Sequence, residues 1–441
     1  MQGTPSPLRV VVVTWAPGGN LPPLLAAARL LTERGHRVTV LTSRACRATA
    51  ENAGHDVVGY RRAPEPDARV AFEHQAEQMS ATAAGLSIAR DVRDVLEGAR
   101  ADLAVFDCML PAAAAGSRAA DVPAASLVHF LYGAARRHML RRGGAWTTDL
   151  ATLSSTHRAL DLPAPRDGIA AWEAPDLLLV TAPRFIDVEV ELAPHVVHAG
   201  PLAVRRTPVK TPEDPPLVLL SFSTSVMDAQ RKAVERACAG VADAGVRAIL
   251  TLGPALDAAD LRIPDQVEVL PWADHDELLP RCTAAAGHGG LGTTLRALAH
   301  GVPLVLVPLG RDQPVNAARV AEAGAGIALE PDATAADVRA AIETVLADRD
   351  YATAAAAISR RIAAEDPDAR AVEALEQCAQ ARRRAQRRHR PDRRGTGAGG
   401  LVVAPRQPRR RAWAHRSSAS TARASGSSAA MRREIAAAAV A

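Results

Sequence analysis

Thr283-Ala284-Ala285-Ala286-Gly287-His288-Gly289-Gly290-Leu291-Gly292-Thr293-Thr294-Leu295-Arg296-Ala297-Leu298-Ala299-His300-Gly301 reads as a short apolar strand, a glycine-rich turn and a helix starting near Thr293. Gly287, Gly289, Gly290 and Gly292 let the backbone approach a ligand with no Cβ in the way. The helix N-terminus behind them offers unpaired N–H groups at the positive end of its dipole. A pyrophosphate suits that place, with Thr293 and Thr294 as hydroxyl donors and His288 as an imidazole donor. By spacing alone, the same run also serves as a plain tight turn between strand and helix.

The neighbouring segments sharpen the choice. Residues 302–308 form a second buried strand, followed by Gly310-Arg311-Asp312-Gln313-Pro314. Ligands of open parallel sheets sit outside the carboxyl ends of the strands, so Asp312 and Gln313 would share a crevice with the glycine loop. Upstream, the strand 267–270 leads straight into Pro271-Trp272. One aromatic, one anion cradle and one acid–amide pair fit the base, diphosphate and sugar of a nucleotide-sugar. Each residue also has a plainer role: Trp272 in a core, His288 as a helix cap, Asp312 and Gln313 capping a helix with Pro314 in its first turn.

Residues 267–329 resemble the donor-binding half of inverting, nucleotide-sugar-dependent glycosyltransferases. This family includes UDP-glucosyl and glucuronosyl transferases and the actinobacterial antibiotic glycosyltransferases. The matching residues are Trp272, His288-Gly289-Gly290, Gly292-Thr293-Thr294, Gly301-Val302-Pro303, Pro308, Asp312-Gln313 and Asn316. A looser likeness runs through residues 8–14, Pro23, Gly35-His36-Arg37-Val38, residues 102–107 and Ser221-Phe222-Ser223-Thr224, and in all covers about residues 8–380. The resemblance implies an α/β protein of GT-B architecture, two facing Rossmann-like domains with a cleft between them. It implies sugar transfer from a dTDP- or UDP-sugar to a small hydroxylated natural product such as a polyketide aglycone, in secondary-metabolite biosynthesis. Donor contacts would come from Ser223, Thr224, Trp272, His275, His288, Gly289, Gly290, Gly292, Thr293, Thr294, Asp312 and Gln313. The implied mechanism needs no cofactor and no metal, and no aspartate pair or His/Asp cluster with metal spacing stands in the sequence.

The acceptor side departs from the family. Pro17-Gly18-Gly19-Asn20-Leu21-Pro22-Pro23 puts Asn20 where a catalytic histidine is usual, while its expected partner, Asp107, is kept. An amide has no basic lone pair for a proton. Three replacements compete: Asp107 itself as base, with its pKa raised by a poorly solvated cleft; His129 at the end of the strand 124–128; or an acidic acceptor merely oriented by Asn20. Arg296 replaces a glutamate that in relatives contacts the ribose, which favours a thymidine donor, with His275 as a substitute contact. Ser223 replaces a glycine.

Length and patterning agree with two domains: an acceptor-binding domain over 1–200, a proline-rich linker over 201–216 and a donor-binding domain with C-terminal helices over 217–380. Alternating strand and helix patterns indicate parallel sheets. The variable helices of 70–96 and a loop over 130–148 are expected to shape the acceptor pocket. Residues 381–441 hold 16 arginines and two acids, so the formal charge of +5 conceals an acidic body. That tail reads as a disordered extension, and the acidic body argues against a nucleic-acid partner. Cys46, Cys108, Cys238, Cys282 and Cys378 lack disulfide or metal spacing and read as core residues of a cytoplasmic protein. No stretch has a secretory pattern or approaches a membrane span. A non-catalytic nucleotide-sugar-binding partner and a nucleotide-sugar epimerase on the same scaffold are the rival readings.

Overall fold

Four- to six-residue runs of Val, Leu, Ile and Ala, buried on both faces, form strands that only parallel sheets covered by helices can house. The computed structural model describes residues 6–66, 72–141, 149–205, 215–222, 227, 229–253 and 256–388. In the first half, Arg9–Val13 (β1), Arg37–Thr42 (β2), Asp56–Gly59 (β3), Leu103–Asp107 (β4), Ala124–Val128 (β5), Leu177–Val180 (β6) and Val196–His198 (β7) pair in parallel in the order β3-β2-β1-β4-β5-β6-β7. In the second, Leu217–Ser221 (β8), Arg247–Thr251 (β9), Val267–Leu270 (β10), Ala284–Gly287 (β11), Leu304–Leu306 (β12) and Gly326–Ala328 (β13) follow the order β10-β9-β8-β11-β12-β13. Each sheet reverses its winding once, between β1 and β4 and between β8 and β11. Those switch points open crevices at the carboxyl ends of the strands.

The two sheets are not separate bodies: residues 1–384 form one compact unit. A continuous core cluster joins Val128, Phe130, Tyr132 and Ile186 of the first half to Leu217, Leu291, Leu295, Ala317 and Val320 of the second. The Arg319 Nε donates to the Ile186 carbonyl at 2.9 Å, and the Arg361 guanidinium lies 3.8 Å from the centre of the Phe185 ring. The linker expected at 201–216 falls partly outside the described residues, as does all of the basic tail beyond residue 388. Among the described residues, no helix is long and apolar enough to cross a membrane.

The helix Pro367–Arg388 runs past the border expected at residue 380 and packs on the first sheet. Its Ala371, Leu375 and Ala379 enter the core formed by Val10, Leu24, Ala28 and Leu31. His36 fixes the contact. Its Nδ1 accepts the Leu8 N–H at 3.2 Å, which leaves Nε2 as the donor to the Glu376 carboxylate at 3.0 Å. Where a loop was expected over 130–148, the helix Tyr132–Arg141 stands instead, its first amides (Gly133, Ala134) bound by Asp187 from a distant turn. Asp187 is some fifty residues away in sequence, so no local capping signal reveals that helix.

Truncation of Leu375 to Ala leaves a hole between the C-terminal helix and the first sheet. It should cost about 2–5 kcal/mol in urea unfolding; a loss below about 1 kcal/mol would show that the helix is not part of that core.

Candidate functional site

Three strand ends of the first sheet meet at one carboxylate. Asp107 closes β4 and is buried; Asn20 precedes the helix Leu21–Glu33 that follows β1; His129 follows β5. The Asn20 Nδ2 donates to Asp107 Oδ2 at 2.6 Å and to the Ala16 carbonyl at 3.1 Å. The Met109 N–H donates to Asp107 Oδ1 at 2.9 Å, and His129 Nε2 lies 3.1 Å from the same oxygen. Asn20 thus does not bond the free amides of the helix it precedes; its side chain reaches across to β4.

The expectation of a raised Asp107 pKa does not hold. Burial alone pushes the carboxyl up, but the charge and hydrogen bond of His129, the Met109 N–H and the Asn20 amide outweigh it and hold Asp107 below its ordinary value. His129 moves the other way. Burial would lower it, yet the adjacent Cys108 sulfur and Asp107 carboxylate lift it well above 6.5. Burial also pushes the Cys108 thiol up, so it stays protonated at neutral pH and Asp107 is the charge that His129 meets. With both oxygens of Asp107 engaged, the proton-accepting capacity of this cluster lies on His129, whose side chain is 18% exposed.

The structure adds a neighbour that sequence spacing did not reveal. Ligand atoms of Asp107, Cys108 and His129 all lie within 4.8 Å of one another. Two of the three are consecutive at a strand end and the third comes from the adjacent strand, so no linear motif announces the group.

On the donor side, β11 ends at Gly287, where a Cβ would stand 2.1 Å from the Ser221 carbonyl of β8; the strands approach that closely only because the residue is glycine. Gly289 has φ +80°, a left-handed turn that glycine accepts freely. The helix begins at Leu291, two residues before the expected start at Thr293, and no side chain caps it. A Cβ on Gly290 would collide with the His288 ring, whereas one on Gly292 would meet no described atom within 4 Å. The His288 ring stacks on Phe222, is almost wholly buried, and its Nδ1 has no hydrogen-bond partner among the described residues. Burial, reinforced by the positive charge of Arg311, pulls His288 down to about 4, so the ring is neutral at physiological pH. Thr293 is partly exposed and Thr294 buried.

Trp272 stands free after β10 with 74% of its surface exposed, the posture of a stacking platform and not of a core residue. Asp312 is partly exposed before the helix Gln313–Glu322; Asn316 Nδ2 donates both to Asp312 Oδ2 and to the Gly289 carbonyl, each at 2.9 Å, and so ties that strand end to the glycine loop. Gln313, expected beside Asp312 at the sugar, is turned inward: its Oε1 accepts the Leu309 N–H at 2.7 Å and its Nε2 points at the Met227 sulfur. His275, expected as a ribose contact, lies with Nε2 3.1 Å from Thr251 Oγ1 at the end of β9. Arg296 is paired with Asp276, which also takes His300 Nε2 at 2.8 Å and the Arg205 N–H at 3.0 Å. Burial raises the Asp276 carboxyl, but these partners bring it to about 2. Ser223 and Thr224 lie outside the described residues.

The folded-state value of His288, near 4 against an ordinary 6.5, has a consequence for stability. Its neutral burial contributes in full above pH 6.5, and the contribution is lost as pH falls from 6.5 towards 4, where only the unfolded chain takes up the proton. The wild type should therefore lose more unfolding free energy between pH 7.5 and 4.5 than His288→Gln. Equal losses in denaturant titrations would mean that the ring is solvated.

Residues 237–378 match the family described as erythromycin biosynthesis protein CIII-like, C-terminal domain. The chain is 27% identical to 4'-demethylrebeccamycin synthase of Lentzea aerocolonigenes over 83% of its own length and 99% of the relative's. It is 27% identical to 3-alpha-mycarosylerythronolide B desosaminyl transferase of Saccharopolyspora erythraea over 75% and 84%. Among solved structures, the glycosyltransferase VinC in complex with dTDP superposes with a TM-score of 0.65 at 20% identity, over 85% of this chain and all of that one. With two parallel sheets of this order and these likenesses, the chain has the GT-B fold, and it is similar to glycosyltransferases of antibiotic pathways.

Proposed function

We propose that the chain moves a sugar, with inversion, from a dTDP- or UDP-linked donor to a hydroxyl of a small natural product such as a polyketide aglycone, and that His129 is its base. The observation that carries the second part is the 3.1 Å contact of His129 with Asp107, in a chain whose position 20 is an amide. In this reading the neutral form of His129 reacts: Nε2–H faces Asp107 and Nδ1 receives the acceptor proton, and because Asp107 lifts the ring well above 6.5 this form gains population as pH rises. The acceptor oxygen then bonds to the anomeric carbon while the bond from that carbon to phosphate breaks, and the electron pair leaves on the nucleotide diphosphate. Asp107 stays ionised, holds the tautomer and stabilises the imidazolium that forms.

Leaving-group charge would be met by the uncapped amides of the helix Leu291–Ala299 and by neutral His288, which can donate one N–H. In a water-poor cleft such fixed donors contribute about 3–4 kcal/mol each. Exposed Trp272 suits the base, and Asp312 suits a sugar hydroxyl. The scheme calls for no cofactor and no metal. A thymidine donor is favoured, because Arg296 offers only donors and spends them on Asp276, where a 2′-hydroxyl would want a carboxylate acceptor. The dTDP in the VinC complex belongs to a neighbour in fold and agrees with this choice.

His129→Gln should lower kcat/KM by about 10²–10⁴-fold with donor affinity intact; a loss below threefold, with Asp107→Asn inactive, would transfer the base role to Asp107. In competition titrations dTDP should bind more tightly than UDP, and the reverse order would count against the donor assignment. Wild-type protein that binds dTDP-sugar but releases no nucleotide diphosphate with any acceptor would be a binding partner, not an enzyme.

A further inference from the structure

We propose that Asp107, Cys108 and His129 form a binding site for a thiophilic divalent cation such as zinc, and that its occupancy switches sugar transfer off. The three residues supply oxygen, sulfur and nitrogen, a ligand set that suits zinc and cadmium and not magnesium or calcium. Their ligand atoms lie within 4.8 Å of one another. A tetrahedral zinc with arms of about 2.0–2.3 Å needs ligand atoms roughly 3.2–3.7 Å apart, and the separation of Asp107 Oδ1 from His129 Nε2 is already 3.1 Å. The Cys108 sulfur stands within 4.8 Å of both atoms. A void of about 10 Å³, one water in size, borders Cys108 together with Phe106, Pro111, Ser126 and Trp172 and gives its side chain room to turn. Outer support is in place, since Asn20 holds Oδ2, the oxygen turned away from His129, and the Met109 N–H bonds Oδ1 itself.

Three protein ligands leave the fourth position open to solvent or to an acceptor hydroxyl. Binding expels the thiol proton of Cys108 into solvent and shifts the single proton of neutral His129 from Nε2 to Nδ1, because thiolate and imidazole lone pair are the ligating forms. The consequence for transfer rests on the base reading above. An imidazole whose Nε2 lone pair is given to a metal keeps its remaining proton on Nδ1, so Nδ1 becomes a donor and can no longer accept from the sugar acceptor. The other four cysteines do not share such a grouping among the described residues.

The test titrates the full-length, reduced, metal-stripped protein with cadmium chloride and follows the ultraviolet absorption of the cadmium–thiolate bond, for the wild type and for Cys108→Ser. A band that saturates at one equivalent in the wild type and is lost in Cys108→Ser supports the site. No saturating band, or an equal band in both proteins, overturns it. Circular dichroism and dTDP binding of the variant exclude misfolding as the cause. In parallel, zinc is titrated against turnover, each protein referred to its own metal-free rate. The wild type should lose at least tenfold near one equivalent, reversed by EDTA, and Cys108→Ser should require at least tenfold more zinc. Wild-type turnover unaffected at saturating cadmium absorption would overturn the switch and count against His129 as base, while leaving the metal site standing.

Discussion

A carboxylate buried at the end of β4 is the constraint on which the first half of the molecule turns. Asp107 is only 3% exposed, and an ionised group cannot rest there unless its oxygens are bonded and its charge is met. Asn20 from the loop after β1, the Met109 amide from its own turn and His129 from the end of β5 satisfy those demands. The order β1-β4-β5 within the sheet brings exactly these three strand ends side by side. Electrostatic need and sheet topology therefore select the same place, and the place is the switch-point crevice. The histidine absent from position 20 does not leave the carboxylate alone; the adjacent strand supplies one.

The second half solves the opposite problem. At the end of β11 it gathers donors: an uncapped helix start, a left-handed glycine and a neutral, deeply buried imidazole, a set that would suit the diphosphate of the proposed donor. Asn316 ties the glycine loop to Asp312, so the ends of β11 and β12 are held as one piece. The cationic residues nearby are kept occupied elsewhere. The Arg296 guanidinium pairs with Asp276 and that of Arg205 with Asp274 and Glu277, three acids at or beside the short helix His275–Leu278 that follows Trp272.

Most strands and the two-sheet plan were legible in the sequence because they depend on runs of apolar residues with glycine and proline between them. β10 and β5 stand where the pattern puts them. Asp56–Gly59 and Val196–His198 escaped notice because they are short and half-exposed or interrupted by polar residues, and only their place at the sheet edges makes them strands. That the glycine loop, Trp272 and Asp312 follow strand ends was readable from local spacing. Gln313 and His275 were not, since whether an amide or a ring faces solvent or the interior depends on partners such as Leu309, Met227 and Thr251 that come from other elements. The same limit hid the Asp107–Cys108–His129 grouping, which exists only once β4 and β5 are paired.

The clasp between His36 and Glu376 joins residues 340 positions apart. During synthesis the ribosome delivers β1 and its following helix long before their final covering emerges. The apolar strip that Leu375 and Ala379 come to seal must wait through almost the entire translation of the chain. The N-terminal half can settle its strands early, yet it cannot close, and a helix made more than three hundred residues later completes the first part to have been made.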